Sequence, residues 1–428
     1  MDRKRFIHVL LAAVLLVTTA TGCDWFKHDR GPDRYRRVLI LYSAGFNNLS
    51  PDLTEDIQDL RSGYLPKKDA DLALLVVSRR TSDYGGSNYE IETSPYLIRM
   101  YKSKKGDKAV MDTLYSMPAG SSLIDADVMR NMLERIVDGF PSDSYGMVVS
   151  SHGNGWMPVG AYINPSSYGK APMRRSARIA VENIPLRDTP GVILTKSFGP
   201  EYYTVDDHDF SHEIEIEDMA AAIPMHLDYL LFDACLMGGV EVAWAFKDVT
   251  DLIGFSQAEI LSEGFNYKTL TNNLLLSTPD PQAVCKDFYD FYEAKTGVYH
   301  SATISLIRTD RLPALASACA PLFEQYRSSI KALSSNQVQD FGGTKNFYYD
   351  LEDILVKAGA QDLTALRSAL DGCIIYKAST NQYYSAYGGT FPINAFCGLS
   401  MYLPSVGSTA LDAFYKQTGW GKASGLVK

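Results

Sequence analysis

A cysteine and a histidine each stand at the carboxyl end of an apolar, strand-like run, the position where reactive side chains collect in an open α/β sheet. His152 comes directly after the run 145–151 and opens a glycine-rich turn. Cys235 follows the run 227–232, and we expect a helix to begin at this cysteine, so that the first helical turn favours its thiolate. A thiolate beside an imidazole is a nucleophile with its base. The pattern predicts covalent catalysis by Cys235 and His152.

Each of these residues also has a simpler interpretation. A lone cysteine at a strand end is often a small buried hydrophobic residue, and a lone histidine in such a turn is often structural. Their occurrence at the ends of different strands of one sheet strengthens the catalytic interpretation, and the residues alone leave both interpretations open. His208 and His212 stand four residues apart among aspartates, which fits either a metal site or a solvated acidic loop. We favour the acidic loop and predict no metal site.

The elements that position these residues alternate between strands and helices. Apolar runs typical of buried strands occur at 37–42, 72–78, 145–151, 227–232 and 252–255. Helical spacing of apolar residues occurs at 52–60, after a capping residue at Asp125, at 215–223 and at 240–246. This order predicts an α/β fold with a mostly parallel sheet flanked by helices.

The region after residue 270 is less regular than the first part of the chain. Helical patterns at 281–294 and 311–328 flank a strand-like run at 302–307, and a last strand is expected at 399–403. We therefore divide the globular part into a core at 36–270 and an α/β subdomain at 271–428 that packs on that core.

The N-terminus has the pattern of an export signal. A basic start is followed by the apolar run 9–17, which is too short for a bilayer that needs about 20 residues. The ending Ala20-Thr21-Gly22-Cys23 resembles the lipobox of bacterial lipoproteins, in which the cysteine is lipidated. We predict a signal peptide at 1–22, lipidation of Cys23, a polar tether at 23–35, and a protein anchored in the bacterial cell envelope. An ordinary secretory signal is the alternative.

Composition excludes several other classes of protein. The 428 residues are 46% hydrophobic, which excludes a disordered chain, and a net charge of −9 without long basic runs makes a nucleic-acid binder a poor fit. The six cysteines include no Cys-x-x-Cys pair, which argues against a zinc ribbon. The five cysteines beyond Cys23 are an odd number, so at least one of them should lack a disulfide partner.

The two motifs resemble those of one enzyme family. His152-Gly153-Asn154-Gly155-Trp156 and the segment 233–238, Asp-Ala-Cys-Leu-Met-Gly, resemble the clostripain family of bacterial cysteine peptidases, which has a caspase-like fold. The similarity extends over about residues 36–404. It implies cleavage of peptide substrates after Arg or Lys by a Cys235–His152 dyad. It also implies an oxyanion hole formed by the N–H groups of Gly153 and Cys235.

The resemblance further implies an acidic pocket for the basic side chain of the substrate. Asp233, two residues before the nucleophile, is the expected floor of this S1 pocket, although it could instead only fix the end of its strand. The sequence departs from the family pattern at 260–267, which borders the pocket in this fold. Glu263 or Glu259 is the expected second acidic wall.

The connection between the motifs, residues 157–226, is far longer than a strand–helix connection requires. Its stretch 164–190 is rich in Pro, Ser and Gly and is basic, so a peptidase specific for basic residues is expected to cut there. The resemblance implies the same processing into two associated chains. The candidate processing residues are Lys170, Arg174, Arg175 and Arg178. A surface insertion that is never cut is the alternative.

Two other functions use the same scaffold. One is a lipid-anchored binding protein whose dyad is catalytically silent, and the other is a transpeptidase, in which an amine replaces water at the acyl-enzyme. No cofactor is expected. Some members of the family need calcium, but the sequence contains no loop with enough regularly spaced carboxylates to name ligands. The sequence does not define the oligomeric state.

Overall fold

The structure is a computed structural model, and it describes residues 31–81, 93–104, 108–162, 176–180, 195–196, 201–205, 208–276, 278–386 and 388–428. The predicted signal peptide, Cys23 and most of the predicted tether lie outside the described residues. Tyr35, the last tether residue, is buried and its backbone N–H donates to the carbonyl of Pro141 at 2.8 Å. The folded domain therefore begins no later than Tyr35.

A single large sheet organises the described part of the chain. Numbered in chain order, its nine strands are β1 (Arg37–Gly45), β2 (Leu72–Arg80), β3 (Tyr96–Lys102), β4 (Ala109–Ser116), β5 (Tyr145–Ser150), β10 (Leu227–Asp233), β11 (Thr250–Phe255), β13 (Thr303–Arg308) and β15 (Ile374–Ser379). Their spatial order is β15-β13-β11-β10-β5-β1-β2-β3-β4.

The centre of the sheet is parallel and its two sides are antiparallel. Strands β2, β1, β5, β10 and β11 run in one direction, while β3, β4, β13 and β15 pair antiparallel. Every residue of β1 and β5 is buried, as expected where helices cover both faces of a parallel sheet. The predicted fold class is confirmed. The antiparallel strands β3 and β4 were not predicted; β4 is only partly buried and so lacks a continuous apolar run.

Eleven α-helices accompany the strands in the described residues, and one of them begins at the predicted capping residue. They are α1 (Ser50–Leu60), α2 (Ala126–Gly139), α3 (Ile216–Ala222), α4 (Val240–Ala245), α5 (Tyr267–Leu275), α6 (Pro281–Glu293), α7 (Leu312–Ala332), α8 (Leu351–Lys357), α9 (Thr364–Cys373), α10 (Thr409–Tyr415) and α11 (Gly419–Ser424). Asp125 is the N-cap of α2, and its side chain accepts hydrogen bonds from the backbone of Asp127 and Val128. The predicted cap is confirmed.

Shorter strands form four small sheets beside the central one. They are β6 (Ser176–Ala180), β7 (Thr195–Lys196), β8 (Glu201–Val205), β9 (His208–Ile214), β12 (Ile260–Leu261), β14 (Tyr349–Asp350), β16 (Gln382–Ser385), β17 (Gly389–Pro392) and β18 (Ser400–Met401). Strands β6, β9 and β8 form one sheet, and β7 pairs with β12. Both belong to the long connection or contact it.

Two sequence-based expectations about the C-terminal half differ from the structure. The predicted last strand at 399–403 is only the two residues of β18, which pair with β14 outside the central sheet. The expected boundary at residue 270 falls inside α5, and β13 and β15 extend the central sheet itself. The reason is that β13 and β15 pair antiparallel along the edge beyond β11 and so continue the ladder of the core.

No helix among the described residues is long and apolar enough to span a membrane. Within the same ranges, no group of three or more His, Cys, Asp and Glu side chains is placed to hold a metal ion. The five cysteines of these ranges form no disulfide, and all are buried.

Candidate active site

The register of the central sheet brings the two motifs together. Strands β5 and β10 are parallel neighbours, and Ser150 is the partner of Asp233. His152 and Cys235 each stand two residues beyond these partners, at the same level of adjacent strands, which lie about 4.8 Å apart. We call residues 151–162 the His loop and residues 234–239 the Cys loop. The predicted placement of both residues at neighbouring strand ends is confirmed.

The two loops contact each other through one glycine. Gly155 has φ +59°, and a Cβ placed on it would stand 2.5 Å from the carbonyl oxygen of Leu236. Leu236 is itself left-handed, with φ +61°, directly after the cysteine. Only a glycine therefore fits at position 155, because any side chain would separate the loops.

Cys235 lies against the strand β12 rather than at a helix. The backbone N–H of Ile260 donates to its Sγ at 3.1 Å, and the thiol faces the carbonyl oxygen of the same residue at 3.6 Å. The side chain of Cys235 is fully buried. The prediction that a helix begins at Cys235 is wrong, because α4 starts at Val240. The left-handed backbone of Leu236 prevents a right-handed helix from starting at Cys235. The N–H group that donates to the sulfur therefore comes from Ile260 and not from a helical turn.

His152 is oriented by an asparagine that the sequence analysis missed. The Nε2–H of His152 donates to Oδ1 of Asn48 at 2.6 Å, which leaves the lone pair of the imidazole on Nδ1. Asn48 belongs to the turn after β1, the strand next to β5. The adjacent Asn47 holds that turn, since its Nδ2 donates to Ala44 at 3.2 Å and its Oδ1 accepts from Leu49 at 2.9 Å. The available signal was that Asn48, too, follows the carboxyl end of a central strand.

Further side chains from distant segments hold the rest of the His loop. Glu213 accepts hydrogen bonds from the backbone of Gly160 at 2.9 Å and from Nδ2 of Asn154 at 3.3 Å. The hydroxyl of Tyr348 donates to the carbonyl of Asn154 at 2.6 Å. Glu213 is in β9, the end of the long connection, so this connection and the C-terminal half both position the loop.

An aromatic cluster anchors the end of the His loop to the C-terminal half. The ring centroid of Trp156 lies 4.8 Å from that of Tyr402 and 5.3 Å from that of Tyr415. Beneath the rings, Glu241 accepts from the backbone of Tyr402 at 2.9 Å and from the hydroxyl of Tyr415 at 2.7 Å. Burial raises the pKa of Glu241 to about 7, although both hydrogen bonds lower it.

Asp233 is a fully buried carboxylate at the end of β10. Its Oδ2 accepts from the hydroxyl of Tyr267 at 2.8 Å and from Oγ of Ser150 at 3.3 Å. Burial raises the pKa of the Tyr267 hydroxyl well above its ordinary value, with the charge of Asp233 as the next cause. The tyrosine therefore stays protonated and continues to donate to Asp233.

An acidic groove with a volume of about 320 Å³ borders Tyr267. One wall is α1 and the other is the turn 262–268, including Glu263. The lining carboxylates are Asp52, Glu55, Asp56, Asp59 and Glu263. Lys268 also lines the groove and pairs with Asp59 at 3.3 Å. Of the two glutamates expected at the pocket, Glu263 lines this groove. The buried carboxylate of Glu259 accepts from the backbone N–H of Ala386 at 3.1 Å and also from the hydroxyl of Ser385.

The remaining predicted residues are placed only in part. Gly153 is buried next to His152. Lys170, Arg174 and Arg175 lie outside the described residues. Arg178 lies in β6, where it is the partner of His212 in β9.

The fold and site together match one class of protein, the cysteine peptidases with a caspase-like fold. The sequence model of the clostripain family matches residues 41–169 and 197–418. The chain belongs to the clostripain family. Clostripain from Hathewaya histolytica is 22% identical over 255 residues, which are 56% of this chain and 43% of that protein. The chain thus spans less than half the length of this relative.

Solved structures support the same fold. An inactive zymogen C11 protease from Parabacteroides distasonis has a TM-score of 0.71 at 24% identity, with 92% of this chain and 99% of that chain covered. A secreted C11 cysteine protease from Bacteroides thetaiotaomicron has a TM-score of 0.70 at 22% identity, with 92% and 100% covered. A structure of a secreted protease from the same organism with an irreversible peptide inhibitor has a TM-score of 0.69 at 24% identity, with 91% and 99% covered.

Proposed function

We propose that this protein is a cysteine endopeptidase that cleaves after Arg or Lys with Cys235 as nucleophile and His152 as base. The observation that carries the proposal is the register of β5 and β10, which places the two side chains at one level of adjacent strands. Membership of the clostripain family supports the reaction class.

The proposed reaction begins with proton transfer from the thiol of Cys235 to Nδ1 of His152. The thiolate attacks the substrate carbonyl carbon, and the N–H groups of Gly153 and Cys235 stabilise the oxyanion. His152 then gives its proton to the leaving amine as the peptide C–N bond breaks. Water, with His152 as base, hydrolyses the thioester and restores the thiol. Throughout, Asn48 holds Nε2–H, so that the reactive nitrogen stays Nδ1.

The proposed S1 pocket is the acidic groove, with Glu263 in its lining and Asp233 buried behind Tyr267. Its carboxylates complement a guanidinium or ammonium group, and a charge-assisted hydrogen bond is strong where water is displaced. Tyr267 lines the groove and donates to Asp233, so it links the groove to the buried carboxylate. Glu259 is the alternative second wall.

A panel of fluorogenic peptides that differ only at P1 tests the proposal. We expect turnover with Arg or Lys at P1 and none with Asp or Leu. Cys235→Ala should abolish turnover and His152→Ala should reduce it to near background. Asp233→Ala should lose selectivity for basic P1 residues; unchanged selectivity would mean that Asp233 only fixes the strand end. A folded wild-type protein without any turnover would favour a catalytically silent binding protein.

We also propose that the protein is exported, anchored through lipidated Cys23, and processed by its own activity within the long connection. The similarity to a secreted C11 protease supports export, and the similarity to an inactive zymogen supports processing. Changing Cys23 to Ser should release the protein from the membrane fraction, because acyl chains on that residue are the proposed anchor. A mature N-terminus other than residue 23 would contradict the anchoring.

A further inference from the structure

The segment 256–260 forms a backbone support for the Cys loop. Alternate residues of this segment face the loop, and the carbonyls of Ser256 and Ala258 accept N–H groups from it at 2.6 and 3.0 Å. Ile260, the next residue in this alternation, presents its N–H and its carbonyl to Sγ of Cys235 at 3.1 and 3.6 Å. The surroundings of the sulfur therefore depend on the peptide group between residues 259 and 260, to which that N–H belongs.

Glu259 supplies the other half of that peptide group, and a distant part of the chain anchors its side chain. Its Oε1 accepts from the hydroxyl of Ser385 at the end of β16, and its Oε2 accepts from the N–H of Ala386 at 3.1 Å. The side chain of Glu259 is buried, and a buried carboxylate is tolerated when its oxygens are hydrogen bonded. The two bonds fix Glu259 and, through its backbone, the N–H that donates to the sulfur.

A lysine links this carboxylate to the His loop. Nζ of Lys345 donates to the carbonyl of Tyr162, the last residue of that loop, at 3.3 Å, and it lies 4.9 Å from the centroid of the same ring. Burial lowers the pKa of the Lys345 ammonium, and the negative charge of Glu259 works against that shift. The carboxylate of Glu259 is thus compensated by groups of its own chain, which a substrate cation would have to displace.

We propose that Glu259 is a positioning residue for the nucleophile and not a wall of the S1 pocket. It holds the peptide group 259–260 so that the N–H of Ile260 points at Sγ of Cys235, where a hydrogen bond stabilises the thiolate. Among the described residues, the lining of the acidic groove includes Glu263 and excludes Glu259. This inference rests on the proposed role of Cys235 and is independent of the proposed P1 preference.

The test compares Glu259→Ala with Glu259→Gln on a P1 panel that includes Arg and its neutral isostere citrulline. Both variants lose the negative charge, but glutamine keeps an oxygen for the N–H of Ala386 and offers an N–H to the hydroxyl of Ser385. We expect kcat to fall about tenfold or more in Glu259→Ala and to stay within about threefold of the wild type in Glu259→Gln. In both variants, KM and the Arg-to-citrulline ratio of kcat/KM should keep their wild-type values.

Two further variants keep the test decisive if Glu259→Ala folds poorly. Ser385→Ala removes one donor from the other side of the same contact, and it should lower kcat by a smaller factor with KM unchanged. Glu263→Ala, in the lining of the groove, should show the opposite pattern, a lower Arg-to-citrulline ratio of kcat/KM. A thermal unfolding midpoint above the assay temperature ensures that the kinetics of each variant are those of folded protein.

Other outcomes separate this inference from the proposed function. Loss of the preference for Arg over citrulline in both Glu259 variants would overturn the inference and make Glu259 the second acidic wall. Wild-type kcat in Glu259→Ala and in Ser385→Ala would overturn it as well. A wild type that prefers an uncharged P1 residue would refute only the proposed specificity, because the comparison of kcat then uses that peptide. A folded wild type without any turnover would refute both proposals.

Discussion

The His loop and the Cys loop lie side by side but are held by different kinds of contact. Backbone hydrogen bonds fix the Cys loop: Leu236 donates to Ala258 at 3.0 Å, and Gly238 donates to Ser256 at 2.6 Å. Side chains fix the His loop, through the bonds of Asn48, Glu213 and Tyr348 described above. Cys235 is thus positioned by backbone bonds to the segment 256–258, whereas His152 depends on a few side chains from distant parts of the chain.

This difference predicts where the site is sensitive to substitution. Backbone bonds persist when a side chain changes, so the position of Cys235 should depend less on any single side chain of its loop, although Ala234, Leu236 and Met237 are buried and contribute packing. A single mutation can remove each side-chain hydrogen bond of the His loop, and the loop then loses that support for its conformation. The predictions below run from the largest expected effect to the smallest.

Gly155→Ala should have the largest effect, because it acts on both loops. The new Cβ would stand 2.5 Å from the carbonyl oxygen of Leu236, and the residue would keep φ near +59°. We expect a loss of about 2–5 kcal/mol in the free energy of unfolding, measured with urea, together with loss of activity. Gly297→Ala is the matched control, since Gly297 has φ +62° with nothing within 4 Å. Equal losses of unfolding free energy in the two variants would mean that the contact between Gly155 and Leu236 does not limit the side chain at position 155.

Asn48→Ala should come next, as it removes the hydrogen bond that orients the imidazole. We expect kcat to fall about 100-fold with little change in KM, because the wrong tautomer or orientation affects the transition state. Asn48→Asp keeps the acceptor and should restore much of the rate, with the acidic limb of the pH profile shifted upward by the added negative charge. An Asn48→Ala enzyme with the wild-type pH profile and rate would exclude this positioning role.

Glu213→Ala tests the support that the long connection gives to the His loop. It removes the oxygen that accepts from Gly160 and Asn154, and we expect about a tenfold fall in kcat, with a loss of about 1–3 kcal/mol in stability. Glu134→Ala, at a half-exposed position on α2, is the control and should leave both nearly unchanged. Identical behaviour of the two variants would show that the connection is dispensable for the loop.

Glu241→Gln should have the smallest effect and one that depends on pH. Burial raises the pKa of Glu241 from its ordinary value of 4.5 to about 7 in the folded protein. Between these values the folded state holds a proton that the unfolded state has released, so the free energy of unfolding of the wild type falls as pH rises from 4.5 to 7. Relative to Glu241→Gln, we expect a fall of about 1–3 kcal/mol, measured by urea titration at both ends of this range. If the unfolding free energies of the wild type and of Glu241→Gln changed with pH in parallel, the predicted titration of Glu241 would be contradicted.

The sequence by itself determined the parallel core and the positions of His152 and Cys235 at its strand ends. Largely apolar runs such as 37–42 and 145–151 identify strands buried on both faces, and the strand ends then locate His152 and Cys235. The cap at Asp125 is similarly local. These features were predictable because burial and capping leave periodic patterns over a few neighbouring residues.

Only the tertiary structure decided which side chains and backbone groups contact His152 and Cys235. Asn48 and His152 are 104 residues apart, and Glu213 reaches Asn154 across 59 residues. The groove between α1 and Glu263 and the pairing of Lys196 with Ile260 also leave no signal in the local sequence pattern. Polar side chains in turns carry no periodicity, so their partners are chosen by how distant segments pack.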